Sequence, residues 1–170
     1  MAKRPMARTW SASSETATKM RATISLSGPP ACTWGATVAP IVHEAGGGAD
    51  KEVVARIFVA PTDDADTVRG MGRFAIAAYL NVPVYAAFHE WLGRGDRLGD
   101  MWRLWKEGDR KAALAAIPDS VVDELIVWGP PEKCREHLQR YVDNGVTTPA
   151  IALLPFGYDV QQAVRDLAPR

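Results

Sequence analysis

Two kinds of hydrophobic pattern alternate along the chain from Val38 onward. "EVVARIFVAP", residues 52–61, is β-branched and aromatic, almost continuously apolar apart from Arg56, and closed by Pro61, which predicts a strand covered on both faces. "TTPAIALLPFG", residues 147–157, predicts a second, shorter strand closed by Pro155 and Gly157. Between them the spacing becomes helical. Thr62 precedes Asp63, Asp64 and Asp66, an N-cap with carboxylates in the first turn, and Val68, Met71, Ala75 and Tyr79 follow as one apolar face. Pro83 starts or kinks "VPVYAAFHEWLG", which is apolar nearly all round and so reads as buried. Leu98, Met101, Trp102 and Trp105 form the stripe of the next helix, and "DRKAALAAIPDSVVDELIVWG" reads as two short helices broken at Pro118, the second capped by Asp119 or Ser120.

The stretch from Gly129 reads as a helix started by Pro130 and Pro131, with Glu132 at its positive end, an inward stripe of Cys134, Leu138, Tyr141 and Val142, and a stop at Gly145. A terminal helix places Val160, Val164 and Leu167 inward. Upstream, "TVAPIVHEAGGG" is a short helical piece ended by glycines, and residues 1–37 show no periodicity. Two strands cannot fill a parallel sheet, because their buried edges would leave backbone donors and acceptors unpaired. The pattern therefore implies a piece of a larger α/β fold, with no internal repeat.

Composition narrows the function without naming it. At 170 residues, 47% hydrophobic and 24% charged, the chain has the makings of one globular core. Twenty basic residues balance 20 acidic ones, so no global field draws the protein to nucleic acid or an anionic membrane. No apolar run approaches the ~20 residues that span a bilayer, and the basic, Ser/Thr-rich start carries no apolar segment of signal-peptide length. Cys32 and Cys134 lack the spaced partners of a zinc site and read as reduced thiols, which favours the cytoplasm.

"EVVARIFVAPTDDADTVRGMGRFAIAAYLNVPVYAAFHEWLGRGD", "PDSVVDELIVWGPPEKCREHLQRYVDNGV" and "TPAIALLPFG" together resemble the C-terminal part of luciferase-like monooxygenases, and more narrowly the class that uses the deazaflavin coenzyme F-420. The resemblance covers residues 38–168 and rests on the order of segments. It implies the C-terminal portion of a (β/α)8 TIM barrel, truncated, with residues 52–61 as strand seven, residues 149–157 as strand eight, and a large helical insertion between. Residues 1–37 do not share it and read as a disordered or frame-shifted segment ahead of a barrel portion at 38–170. The implied function is that of an oxidoreductase fragment whose complete form transfers hydride with coenzyme F-420 or FMN to or from a small-molecule substrate. The alternative is a non-enzymatic helical interaction domain or an inactive remnant. Most cofactor-binding positions of the family would lie in the missing half, so neither cofactor is expected to bind this chain alone.

Barrel active sites lie at the C-terminal ends of strands, here residues 60–63 and 155–158. Asp63, Asp64 and Asp66 would repel a phosphate, which leaves the amides of Gly157 and Tyr158 as the cofactor-binding candidates, against the plainer reading of a helix start. Arg56, the one charge in its strand, needs a partner: a carboxylate, or a ligand, which makes it a substrate-pocket candidate. Tyr85 joins Phe88 and Trp91 at a spacing of three, usually a core stripe, but in the family this region borders the substrate pocket. His89 beside Glu90 suggests acid–base chemistry, yet no second His, Ser or Cys completes a site, so a packed histidine is the reading taken. No catalytic residue is identifiable and no metal site is present. Exposed sheet edges are expected to favour homo-oligomers or a partly molten state.

Overall fold

The computed structural model describes residues 22–24, 40, 44 and 52–168. Four parallel strands, β1 (Ala22–Ile24), β2 (Val53–Ala60), β3 (Ile126–Trp128) and β4 (Thr148–Leu153), form one sheet with β2 at its centre. β4 runs along one edge of β2 from Val54 to Val59. The other edge is shared: β1 pairs at Val53–Ala55 and β3 at Phe58–Ala60.

Seven helices are seen among the described residues: α1 (Ala65–Leu80), α2 (Pro83–Trp91), α3 (Gly95–Glu107), α4 (Arg110–Ala115), α5 (Asp119–Leu125), α6 (Pro131–Asp143) and α7 (Val160–Leu167). Their ends follow local chemistry. Asp64 caps α1 by accepting from the Thr67 amide at 3.1 Å, Asp109 caps α4 through the Ala112 amide at 2.9 Å, and Gly108, at φ 90°, closes α3 in the left-handed region.

The side chains of β2 alternate between two cores. Val53, Ala55, Ile57 and Val59 pack with Val127, Cys134, Leu138, Tyr141, Val146 and Leu167 under α6 and α7. Phe58 and Ala60 point the other way, into a core with Val68, Ile76, Leu80, Leu98, Met101 and Ile117 under α1 to α5. Helices thus cover both faces of an open sheet. In a (β/α)8 barrel the strands follow one another in sequence order with every helix outside. Here β3 and β4, consecutive in sequence, lie on opposite sides of β2, so the described residues form no closed barrel.

β3 corrects the sequence pattern, which runs the helix of residues 119–125 on through residue 128. Ile126 is extended, at φ −120° and ψ 122°, because β-branched and aromatic residues here meet the free edge of β2 at Phe58–Ala60. The described residues therefore hold four strands rather than two. β1 lies inside the segment 1–37, whose other residues are outside the described set; of the helical piece expected from Val38, Pro40 and Glu44 are described and helical.

Two helix faces, those of α1 and α7, are also rotated from expectation. Val68, Gly72, Ile76 and Leu80 form the buried stripe of α1, and Met71 is exposed. Gly72 sets this rotation: a Cβ there would meet Ile126 Cδ1 at 2.8 Å and Val122 Cγ1 at 2.9 Å, so α1 makes its closest approach at that point. In α7, Ala163 and Leu167 face the sheet while Val160 and Val164 are exposed; Val142 of α6 is exposed too. α2 buries only His89 fully.

Candidate functional site

The helix leaving β2 goes to one face of the sheet, and those leaving β3 and β4 go to the other. Loops therefore diverge around the C-terminal end of β2, where open α/β sheets place ligands. Three segments meet there: residues 61–64 after β2, 129–130 after β3 and 154–159 after β4.

Two of these segments are chemically closed to an anion. The Thr67 hydroxyl and amide hold the Asp64 carboxyl below the usual carboxylate range at the start of α1. Asp159 caps α7 through the Gln162 amide at 2.7 Å. The Gly157 amide donates to the Pro155 carbonyl at 2.9 Å, and the Tyr158 hydroxyl donates to Asp166 Oδ2 at 2.7 Å, a bond that raises the phenol pKa. Gly157 and Tyr158 thus build the turn into α7.

The third segment differs. β3, Gly129 and α6 form a strand–turn–helix in which Pro130 is the N-cap and no side chain caps the first amides. Gly129 sits at φ 132°, and a Cβ there would lie 2.9 Å from Lys133 Cδ. Lys133 Nζ lies 5.5 Å from the centre of the Trp128 ring. Lys133 lies near the positive end of α6, but Pro130 and Pro131 have no amide to donate and Glu132 sits in the first turn, so only the amides from Glu132 onward and the lysine could face an anion there. Sequence reading missed this place because, with β3 taken as helix, Gly129 did not register as a strand-to-helix turn.

Arg56 and Tyr85 do come together, through Tyr79. Arg56 Nη1 donates to Tyr79 Oη at 3.3 Å, and its guanidinium lies 5.1 Å from the Phe58 ring centre and 5.6 Å from that of Tyr79. The Tyr79 and Tyr85 rings are 6.3 Å apart. The cation rests on an aromatic platform, and among the described residues no carboxylate forms an ion pair with it. The expected carboxylate partner is thus replaced by a phenol and two ring faces. This cluster faces the α1–α5 side at mid-strand, about 13 Å before the end of β2, and so is separate from the Gly157–Tyr158 turn.

His89 is 1% exposed. Arg94 Nη1 lies 3.1 Å from its Nδ1, and because a guanidinium only donates, the neutral ring carries its proton on Nε2, which has no partner. Burial first, and then the Arg94 charge, push its pKa down to about 4, so it is neutral at physiological pH and not poised for acid–base work. It is a packed histidine. Arg94 is itself buried and pairs with Glu124 at 3.0 Å, which also takes Arg97 at 2.8 Å, a network the sequence reading missed. Cys134 is a buried free thiol whose pKa burial raises to about 11, hence inert; Cys32 is outside the described residues. Among the described residues no cluster could hold a metal ion, and no helix is long and apolar enough to cross a membrane.

Neither the curated proteins nor the solved structures contain a match to this chain. The family model of luciferase-like monooxygenases matches residues 29–148, from ahead of β2 through α6 to the first residue of β4. The match spans well over half of the sequence, and the chain accordingly belongs to the luciferase-like monooxygenase family.

Proposed function

We propose that this chain supplies one wall of a flavin- or deazaflavin-dependent oxidoreductase site, acting on a small organic substrate in the cytoplasm. The single observation behind this is the family match over residues 29–148. Within that family we favour the class using coenzyme F-420, with FMN as the other cofactor, on the order of segments from β2 to β4. When bound, the cofactor supplies the hydride chemistry. The protein's part is to hold and orient.

Arg56 presents guanidinium N–H groups beyond the one given to Tyr79, so it can take a carboxylate or phosphate of a ligand, while Tyr79 and Tyr85 offer ring faces to a planar group. For a cofactor phosphate we favour the start of α6, through Lys133 and the amides that follow Pro131. Gly157 and Tyr158, engaged in their own turn, are the weaker choice. The remaining walls come from outside the described unit, as they would if the chain worked as the C-terminal portion of a (β/α)8 barrel.

Heteronuclear NMR of the full chain titrated with FMN and with coenzyme F-420 tests this. Affinity weaker than about millimolar is expected, because most of the pocket is lacking. Resonance shifts should concentrate at residues 129–134 or at Arg56, Tyr79 and Tyr85. No shifts at either place up to several millimolar would remove the reading in favour of an interaction domain or inactive remnant, and micromolar saturation would overturn the one-wall part of it.

A further inference from the structure

Arg56 is the cation that the charge network of its face leaves out. The other arginines there are matched by carboxylates of α5: Arg69 by Asp123, Arg73 by Asp119, and both Arg94 and Arg97 by Glu124. Arg56, half-buried in the middle of β2, has one phenol and two ring faces instead. A guanidinium carries five N–H groups in a planar fork, and among the described residues only the one given to Tyr79 Oη meets a protein acceptor. The Tyr79 hydroxyl, accepting from Arg56, keeps its own hydrogen, which has no acceptor among the described residues. N–H and O–H donors are thus left unused side by side.

We propose that Arg56, Tyr79 and Tyr85 recognise a planar aromatic monocarboxylate, which rests on the substrate-pocket reading above and names its substrate class. Shape favours a carboxylate. Its two coplanar oxygens match two parallel N–H groups at the edge of a guanidinium, and the Tyr79 O–H is at hand as a further donor. The rings set the direction of approach. Phe58 and Tyr79 meet edge to face at 64°, and the guanidinium lies 5.1 Å from the centre of one and 5.6 Å from that of the other. Ring faces are the negative part of an aromatic quadrupole, so an anion is turned away from them and onto the guanidinium edge.

Charge selects among anions. One guanidinium without a carboxylate balances one negative charge, whereas a phosphate monoester carries about 1.5–2 at neutral pH. The excess would lie against ring faces, because the neighbouring arginines already belong to α5. Tyr85 supplies the organic half of the match. Pro83 starts α2 two residues after the Asn81 cap of α1, and across this corner the Tyr79 and Tyr85 rings lie 6.3 Å apart with planes 35° from parallel. Both rings are half-buried, so each keeps an open side beside the cation. A flat ring gains offset stacking there that an alkyl ring of the same size does not.

Titration of the full chain with benzoate, without cofactor, reads the Arg56 Nε–H resonance and the Tyr79 and Tyr85 ring signals directly. Saturation on the order of a few millimolar is expected, with benzamide, phenyl phosphate and cyclohexanecarboxylate each weaker by about fivefold or more. Arg110, exposed and 4.0 Å over the single ring of Trp105, should not move. Tyr79→Phe keeps the ring but loses the O–H and should weaken benzoate about threefold or more with an unchanged circular dichroism spectrum; Arg56→Lys keeps the charge but loses the fork and should weaken it about tenfold or more. An Arg56 signal with no saturable shift below about 20 mM benzoate, benzamide or phenyl phosphate binding as tightly, or indifference to both substitutions would each overturn the proposal. The two readings fail separately. Benzoate shifts at Arg56 with no response to FMN or coenzyme F-420 would keep the carboxylate site and remove the oxidoreductase, whereas cofactor shifts at residues 129–134 with Arg56 unmoved by benzoate would do the reverse.

Discussion

The two faces of the sheet are held by different means. Under α6 and α7 the contacts are mainly apolar, from Cys134, Leu138, Tyr141 and Leu167, and a groove of about 530 Å³ remains open beside Leu138, Pro149 and Ile151. On the other face, α4 and α5 have only six and seven residues, too short to be held by propensity or a long apolar stripe. There the carboxylates Asp119, Asp123 and Glu124 of α5 collect arginines from α1 and from the corner between α2 and α3. The seven-residue α5 is positioned by fixed charges, and the 13-residue α6 by its stripe.

The strongest way to break this comparison is to remove one charge of the network. Glu124→Ala leaves Arg94, nearly buried, without a carboxylate and should cost about 3–5 kcal/mol, whereas Leu138→Ala, beside a groove into which its neighbours can relax, should cost about 2–3 kcal/mol. Urea unfolding of both variants gives the order directly; a larger loss for Leu138→Ala would mean that charge is secondary on the first face.

Acid should strain the same face. The His89 pKa is lowered in the fold to about 4 from its ordinary 6.5, by burial and by Arg94, with Glu124 opposing. The unfolded chain therefore binds this proton more readily. Stability is full above pH 6.5 and is lost as pH falls to about 4, by about 3 kcal/mol in total. His137 on the other face is also lowered, by burial and then Arg140 and Lys133, and loses stability in the same direction. Unfolding free energies between pH 7 and pH 4 should flatten more in His89→Gln than in His137→Gln, and equal flattening would erase the distinction between the faces.

A smaller effect separates contact from propensity. Gly72→Ala pushes a methyl into Ile126 and Val122 and should destabilise by about 1–3 kcal/mol, while Gly99→Ala, with nothing within 4 Å, should stabilise by about 0.5–1 kcal/mol. Opposite signs in thermal melts would separate the close packing at Gly72 from the propensity cost of an open helical glycine.

Where local pattern and tertiary demand agree, the sequence is readable. β2 was legible because a β-branched run closed by Pro61 has no helical alternative, and α6 because Pro131 and a spaced stripe mark both its start and its inner face. β3 was not: Ile126–Trp128 continues the apolar run of α5, periodicity cannot divide a run so short, and its strand form depends on an edge of β2 nearly 70 residues away in the chain. Separation along the chain also hid the site. Arg56 finds Tyr79 across 23 residues and Arg94 finds Glu124 across 30, partners that no spacing rule connects. The faces of α1 and α7 failed for a subtler reason, since small residues, Gly72 and Ala163, lie on the buried faces while Met71, Phe74, Val160 and Val164 are left outside.

The place of β2 at the centre of the sheet also sets an order of assembly. Its longest ladder is with β4, and the Val53 amide reaches Thr147 Oγ1 across 94 residues. At a synthesis rate of about 5–20 residues per second, β2 waits roughly 5–20 s for that neighbour while α1 to α5 and β3 are already available to it. One apolar core can close during that interval, whereas the core under α6 and α7 must form last, around a strand edge that has stayed exposed throughout. The slow, non-local pairing of β4 thus makes the groove side of this molecule the side most dependent on unhurried synthesis and on chaperone protection.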